Sequence, residues 1–72
     1  MNIKEKIGER IRFLRGTKEL SQKDLSYRAD LDRSYIASVE KGHRNISIMN
    51  IEKICNALNI SISSFFNDKL FD

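Results

Sequence analysis

An all-α fold of five helices is what this chain predicts, on three observations. Its 72 residues include no proline. Apolar residues recur three and four apart nearly throughout. Ser or Asp precedes each inner helical run, at Ser21, Asp32, Ser47 and Ser61, where a short side chain can accept from an unpaired N–H. A chain of this length allows one domain, residues 1–72. Its single core supplies only about 3–5 kcal/mol of margin unless packing is exceptional or a partner adds to it.

Helix one is expected over residues 3 to 16, where Ile3, Ile7, Ile11 and Leu14 form one stripe. Lys4, Lys6, Arg10, Arg12 and Arg15 then fall on the solvent side. Helix two starts at Ser21 and carries Leu25 and Ala29 four apart. Asp30-Leu31-Asp32 is a short turn, because Asp30 tolerates a left-handed conformation and Asp32 suits the start of a third helix. Helix three turns Ile36, Ala37 and Val39 inward and presents Arg33, Ser34, Tyr35 and Ser38 on its first turns and exposed side. Gly42 closes it, and the loop His43-Arg44-Asn45-Ile46 leads to Ser47. Helix four runs from Ile48 to Leu58, with Ile48, Ile51, Ile54, Cys55 and Leu58 packing on helices one and three, and stops at Asn59. Ser61 opens a short last helix.

Much chemistry is excluded by the inventory. One cysteine, Cys55, permits no internal disulfide and reads as a small buried residue, and one histidine, His43, leaves no metal-ligand spacing. No Cys/His or Ser/His pairing and no glycine-rich phosphate loop is present, so neither an enzyme, a cofactor nor a small-molecule ligand is expected. No apolar run approaches the ~18 residues of a membrane span, and Met1 to Arg15 is too charged for a secretory signal, so a soluble, cytoplasmic protein is expected.

Charge points to a partner. The net charge is +3, but residues 1–46 carry 11 of the 13 Lys and Arg and 7 of the 10 Asp and Glu. The front of the chain is basic, suiting phosphates, and the rear is not. Within that front, Gln22 to Lys41 reads as two short helices about a tight turn, the arrangement that presents a helix to the DNA major groove. Arg33 has the chemistry for reading sequence, since its guanidinium can donate two parallel hydrogen bonds to guanine O6 and N7. An exposed Arg at a helix N-terminus opposes the macrodipole and has no stabilising purpose there. Ser34 and Ser38 can donate to base or phosphate, and Tyr35 offers a hydroxyl and a ring for a thymine methyl or a sugar. Ile62, Phe65, Phe66 and Leu70, within residues 60–72, supply more apolar surface than a terminal segment needs. Completing the core and forming a dimer both remain open; a dimer matches two-fold operator half-sites.

Ile11-Arg12-x-x-Arg15, Leu20-Ser21-Gln22-x-x-Leu25, Ala29-x-Leu31, Tyr35-Ile36-x-x-Val39-Glu40-x-Gly42 and Ile54-x-x-Ala57-Leu58-Asn59-Ile60-Ser61 together resemble the lambda-like and 434-like phage repressors. The resemblance implies a compact five-helix lambda-repressor-like DNA-binding domain containing a helix-turn-helix. Leu31-Asp32-Arg33-Ser34-Tyr35-Ile36 and Glu40-Lys41-Gly42-His43-Arg44-Asn45-Ile46-Ser47 look most like the controller proteins of restriction–modification systems. These form homodimers through C-terminal helices and bind double-stranded operator DNA upstream of their own and the endonuclease gene, activating at low occupancy and repressing at high.

Transferred by position, Arg33 and Ser34 resemble the base-reading pair, and Gln22 resembles a residue that bonds phosphate and braces the recognition helix. Ser21, Lys23 and Arg28 lie close enough to reach the backbone. Lys41, Arg44 and Asn45 sit where the next loop passes over the sugar-phosphate chain, with Arg44 also suited to a narrow minor groove. For His43 a phosphate contact and a plain loop role stand equal; Ser47 and Asn50 divide between capping helix four and reaching phosphate. Asp24, Asp30 and Glu40 near that face would repel phosphate, and a contact with the sigma subunit of RNA polymerase gives one of them a reason to be there. The family has Gly where this chain has Glu19 and Asp30. For Glu19 a left-handed backbone costs about 1–2 kcal/mol, so helix one is expected to end near Gly16 with a different connection. A phage-type or antitoxin repressor, and an interaction module that has lost DNA binding, are the competing readings.

Overall fold

The computed structural model describes residues 1–72, arranged as α1 (Ile3–Thr17), α2 (Gln22–Ala29), α3 (Arg33–Glu40), α4 (Ile48–Leu58), α5 (Ile62–Phe66) and a final 3₁₀ turn, Lys69–Phe71. No strand is present, so the all-α expectation holds. Four of the five α-helices start at a side-chain cap. Asn2 and Glu5 bond reciprocally across the first turn of α1, and Ser21 and Asp24 do the same for α2. Ser47 accepts from the Asn50 N–H, and Ser61 from the Ser64 N–H. Asp32 holds the N-cap position of α3 but makes no capping hydrogen bond.

The helix ends share one device. At Glu19, Asp30, Gly42 and Asn59 the backbone turns left-handed, with φ between 55° and 77°. After each of these a second N–H reaches back to a carbonyl five residues earlier: Leu20 to Arg15, Leu31 to Ser26, His43 to Ser38 and Ile60 to Cys55, at 3.0–3.1 Å. Glu19 therefore does take the conformation expected to be avoided, and α1 runs past Gly16 to Thr17. The compensation is visible: Leu20, the next residue, is buried, and its carbonyl also accepts from the Arg15 guanidinium at 3.0 Å.

Thirteen buried residues make one continuous core, drawn from α1 to α5 and Leu20. Helix α3 packs between α1 and α2, α4 lies mainly against α2 rather than on α1 and α3 as expected, and the 3₁₀ turn returns to α1. Two expected core residues lie outside: Ile3 and Ile48 occupy first turns that project beyond the bundle, and are 57% and 64% exposed. Phe65, expected at a dimer interface, is fully buried among Phe66 and Phe71, with ring centroids 4.9 and 6.3 Å away. Cys55 is buried, and burial, aided by the charge of Glu52, raises its pKa and keeps it a thiol.

Arg10, expected in solvent, is buried. It donates to the Phe65 carbonyl at 2.7 Å and the Ser64 carbonyl at 2.9 Å, and pairs with Asp68 at 3.2 Å. It thereby satisfies the Phe65 carbonyl, adds a second donor to the Ser64 carbonyl that already accepts from the Asn67 N–H, and clamps the C-terminal segment onto α1.

Gly8 sets the separation of α1 from α3. A Cβ there would stand 2.4 Å from the Val39 carbonyl oxygen and 2.7 Å from that of Glu40, both backbone atoms that cannot swing aside. Gly8→Ala is expected to lower stability by about 1–3 kcal/mol, read as a lower urea midpoint at unchanged slope. At the start of α2, hydrogen bonds from the Ser21 N–H and hydroxyl hold the Asp24 carboxyl below its ordinary 3.8. A depressed carboxylate contributes stability above its unfolded value and loses it as pH falls through the folded one. Asp24→Asn is accordingly expected to melt lower than wild type at pH 7 and to converge with it as pH falls through the depressed value of the Asp24 carboxyl.

Candidate nucleic-acid interface

The site rests on a buried carboxylate. The Glu40 side chain, 3% exposed at the end of α3, accepts from Arg15 Nε at 2.8 Å and from a second Arg15 nitrogen at 2.9 Å, giving a bidentate pair. Gln22 Nε2 donates to the same carboxylate at 3.1 Å. The hydrogen bond to Glu40 raises the Arg15 pKa against the opposing effect of burial. Arg15 lies on α1, Gln22 opens α2 and Glu40 ends α3, so one cluster orients α3 against both neighbours. Gln22 thus braces α3 as expected, whereas Arg15 is not a solvent-side cation. Glu40, as a buried and paired group, is removed from the residues that could touch a polymerase subunit.

On that support α3 presents its first turn. Arg33 and Ser34 are exposed, and neither side chain has a hydrogen bond or ion pair within the protein. Because Asp32 does not fold back as a cap, it occupies none of the first-turn N–H groups either. Ser38 is half-buried one turn further on, its hydroxyl also unengaged. Lys23, at the start of α2, borders the same shallow depression as Arg33, together with Tyr27, Asp30, Leu31 and Asp32. Arg28 is exposed on the far side of Tyr27, in a separate hollow with Lys18 and Asp24.

The remaining sequence-derived candidates divide in two. Lys41, His43 and Asn45 are exposed, with side chains free of internal partners. Ser21 and Ser47 are committed to capping α2 and α4, and Asn50 both closes the α4 cap with its N–H and donates from Nδ2 to the Tyr35 hydroxyl at 3.0 Å. Tyr35 is half-buried and packs against the core, while the Arg44 guanidinium lies over its ring, 4.7 Å from the centroid. That contact joins residues nine apart on a helix and a loop, and no local spacing in the sequence announces it. In the C-terminal segment Ile62 is 37% exposed, and Phe66 and Leu70 are half-buried.

The whole arrangement has known counterparts. Residues 11–65 match the family model described as helix-turn-helix. The control protein C.MunI of a Mycoplasma species is 43% identical over 68 residues, which span 93% of this chain and 92% of that protein. The crystal structure of the restriction–modification controller protein C.AhdI from Aeromonas hydrophila superposes with a TM-score of 0.85 at 46% identity, covering 88% of this chain and 96% of that one. A tetramer of the controller protein C.Esp1396I, solved in complex with its natural 35 base-pair operator, gives 0.86 at 35% identity over 92% of this chain and 87% of that one. With its five-helix order, its braced and exposed α3 and its likeness to these proteins along nearly all of its length, this chain belongs to the helix-turn-helix family, among the control proteins of restriction–modification systems.

Proposed function

We propose that this protein is a sequence-specific transcriptional regulator that binds double-stranded operator DNA as a homodimer and controls its own gene and that of a linked restriction endonuclease. It acts by binding rather than catalysis, in the cytoplasm where that DNA lies. The observation that carries this reading is an unpaired Arg33 at the exposed start of α3, on a helix oriented by the buried Glu40 cluster. Spending a buried ion pair to orient a short polar helix makes sense if that helix is itself the tool. Arg33, Ser34 and Ser38 read bases, while Gln22, Lys23, Arg28, Lys41, His43, Arg44 and Asn45 supply the surrounding backbone contacts. Ser21, Ser47 and Asn50 shape the termini that meet the backbone. Of Asp24, Asp30 and Glu40, the first two are exposed and available to the sigma subunit of RNA polymerase.

Dimerisation is assigned to the C-terminal segment, reduced from the sequence expectation to Ile62, Phe66 and Leu70, since Phe65 is consumed by the core. Two exposed recognition helices related by a two-fold axis suit a palindromic operator.

In fluorescence anisotropy with a duplex from upstream of the protein's own gene, Arg33→Ala is expected to lose about 1–3 kcal/mol of preference over an unrelated duplex, while wild type and variant both keep salt-dependent binding. Equal preference in wild type and variant would remove Arg33 from base reading. Ile62→Asp is expected to shift sedimentation from dimer to monomer at micromolar protein with helicity unchanged. A dimer as tight as wild type would place the interface elsewhere.

A further inference from the structure

Arg44 and Tyr35 form a unit that the fold itself does not require. Arg44 stands on the exposed loop between α3 and α4, has no carboxylate partner, and makes no hydrogen bond within the protein. An exposed arginine of that kind ordinarily samples many rotamers, and ordering it on binding costs conformational entropy. Here its guanidinium is laid over the Tyr35 ring at 4.7 Å, a cation–π distance. The ring cannot follow it, because the Tyr35 hydroxyl accepts from Asn50 Nδ2 at 3.0 Å and the side chain packs on the core. Asn50 in turn sits in the first turn of α4, fixed through the Ser47 cap. The recognition helix, the loop and α4 are thus tied at one aromatic side chain. All five N–H donors of Arg44 stay free for an incoming anion.

We infer that Tyr35 is a positioning residue, which holds the Arg44 guanidinium ready for a nucleic-acid phosphate at a set distance from the base-reading Arg33, rather than a reader of bases itself. The inference rests on the DNA-binding reading above. It departs from the sequence expectation for Tyr35, because the hydroxyl held by Asn50 and the ring face under Arg44 fix the side chain as a support, with only its own O–H proton left to donate.

Counterion release separates the two roles. Each phosphate neutralised by a cation contributes roughly one to the slope of log K against log salt, and a neutral tyrosine contributes nothing of its own. The experiment is anisotropy over a salt series with the upstream duplex, for wild type, Arg44→Ala, Tyr35→Leu, Tyr35→Phe and the Tyr35→Leu/Arg44→Ala pair, each checked for native helicity. Arg44→Ala is expected to lower the slope by about one. Tyr35→Leu, though it removes no charge, is expected to lower the slope in the same direction and to weaken binding about three- to tenfold at moderate salt. Tyr35→Phe, which keeps the platform, should retain the wild-type slope, and the double variant should bind no worse than Arg44→Ala alone.

A wild-type slope in Tyr35→Leu, a Tyr35→Phe variant that behaves like Tyr35→Leu, or losses that add in the double variant would overturn the inference while leaving DNA binding intact. Absence of salt-dependent binding by wild type would instead overturn the DNA-binding reading and this inference together. Should Tyr35→Leu not fold, the Arg44 δ-protons of the free wild-type protein decide. An upfield ring-current shift supports the contact, and random-coil positions refute it.

Discussion

A single carboxylate, that of Glu40, is the constraint on which the rest of the arrangement depends. A charge at 3% exposure is costly unless every lone pair finds a donor. Here Arg15 supplies two donors in parallel and Gln22 a third. The donors come from α1 and α2 and the acceptor from α3, so the cluster is satisfied only when three helices keep one mutual orientation. Apolar packing alone tolerates sliding. A bidentate pair does not, because its two hydrogen bonds specify angle as well as distance. Gly8 acts on the same interface from the other side, since the absence of a side chain lets α1 approach the Val39 and Glu40 carbonyls.

The helix endings complete this rigidity with little sequence. Four helices stop at a left-handed residue, yet only Gly42 among them is glycine. For the non-glycine residues the backbone strain of about 1–2 kcal/mol must be offset nearby. At Glu19, Asp30 and Asn59 the following residue is Leu20, Leu31 or Ile60, and each of these side chains packs into or against the core. An apolar residue one place after the turn therefore does what glycine would have done alone. It also aims the next segment, which is how a connection of a few residues sets α2 and α3 about their turn.

These facts divide what was legible in the chain from what was not. Ser21, Ser47, Ser61, Gly42 and Asn59 mark boundaries correctly because a cap is decided within three residues of itself. The place of Arg33 and Ser34 at an exposed helix start was equally readable, since it follows from the turn and the apolar spacing. Arg10 and Arg15 were misplaced because helical periodicity assigns a face, not a partner. Arg10 meets residues more than fifty positions away and Arg15 meets Glu40, and neither partner is visible to local pattern. Ile3 and Ile48 failed in the opposite sense, as apolar stripes continue into first turns that overhang the bundle. Phe65 could not be told from Phe66 by spacing, though one is fully buried and the other is not.

The same division governs the electrostatics. Counting charges gives a basic front, but Arg15 is neutralised internally by Glu40, and Arg10 is spent on Asp68 and two carbonyls of the C-terminal segment. Neither contributes a free donor to an outside phosphate. The other nine cations of residues 1–46 have no ion-pair partner, and five of them, Lys23, Arg28, Arg33, Lys41 and Arg44, lie beyond α1 and the turn that follows it. These cations are distributed around α2, α3 and the loop that follows. Their number is modest, so affinity on one half-site is limited and strongly screened by salt. Two-fold duplication on a palindrome raises it by joining two such sets through one interface. Arg10 links these requirements, because the residue that pins the C-terminal segment to α1 also fixes how far the proposed dimerisation face stands from the exposed start of α3.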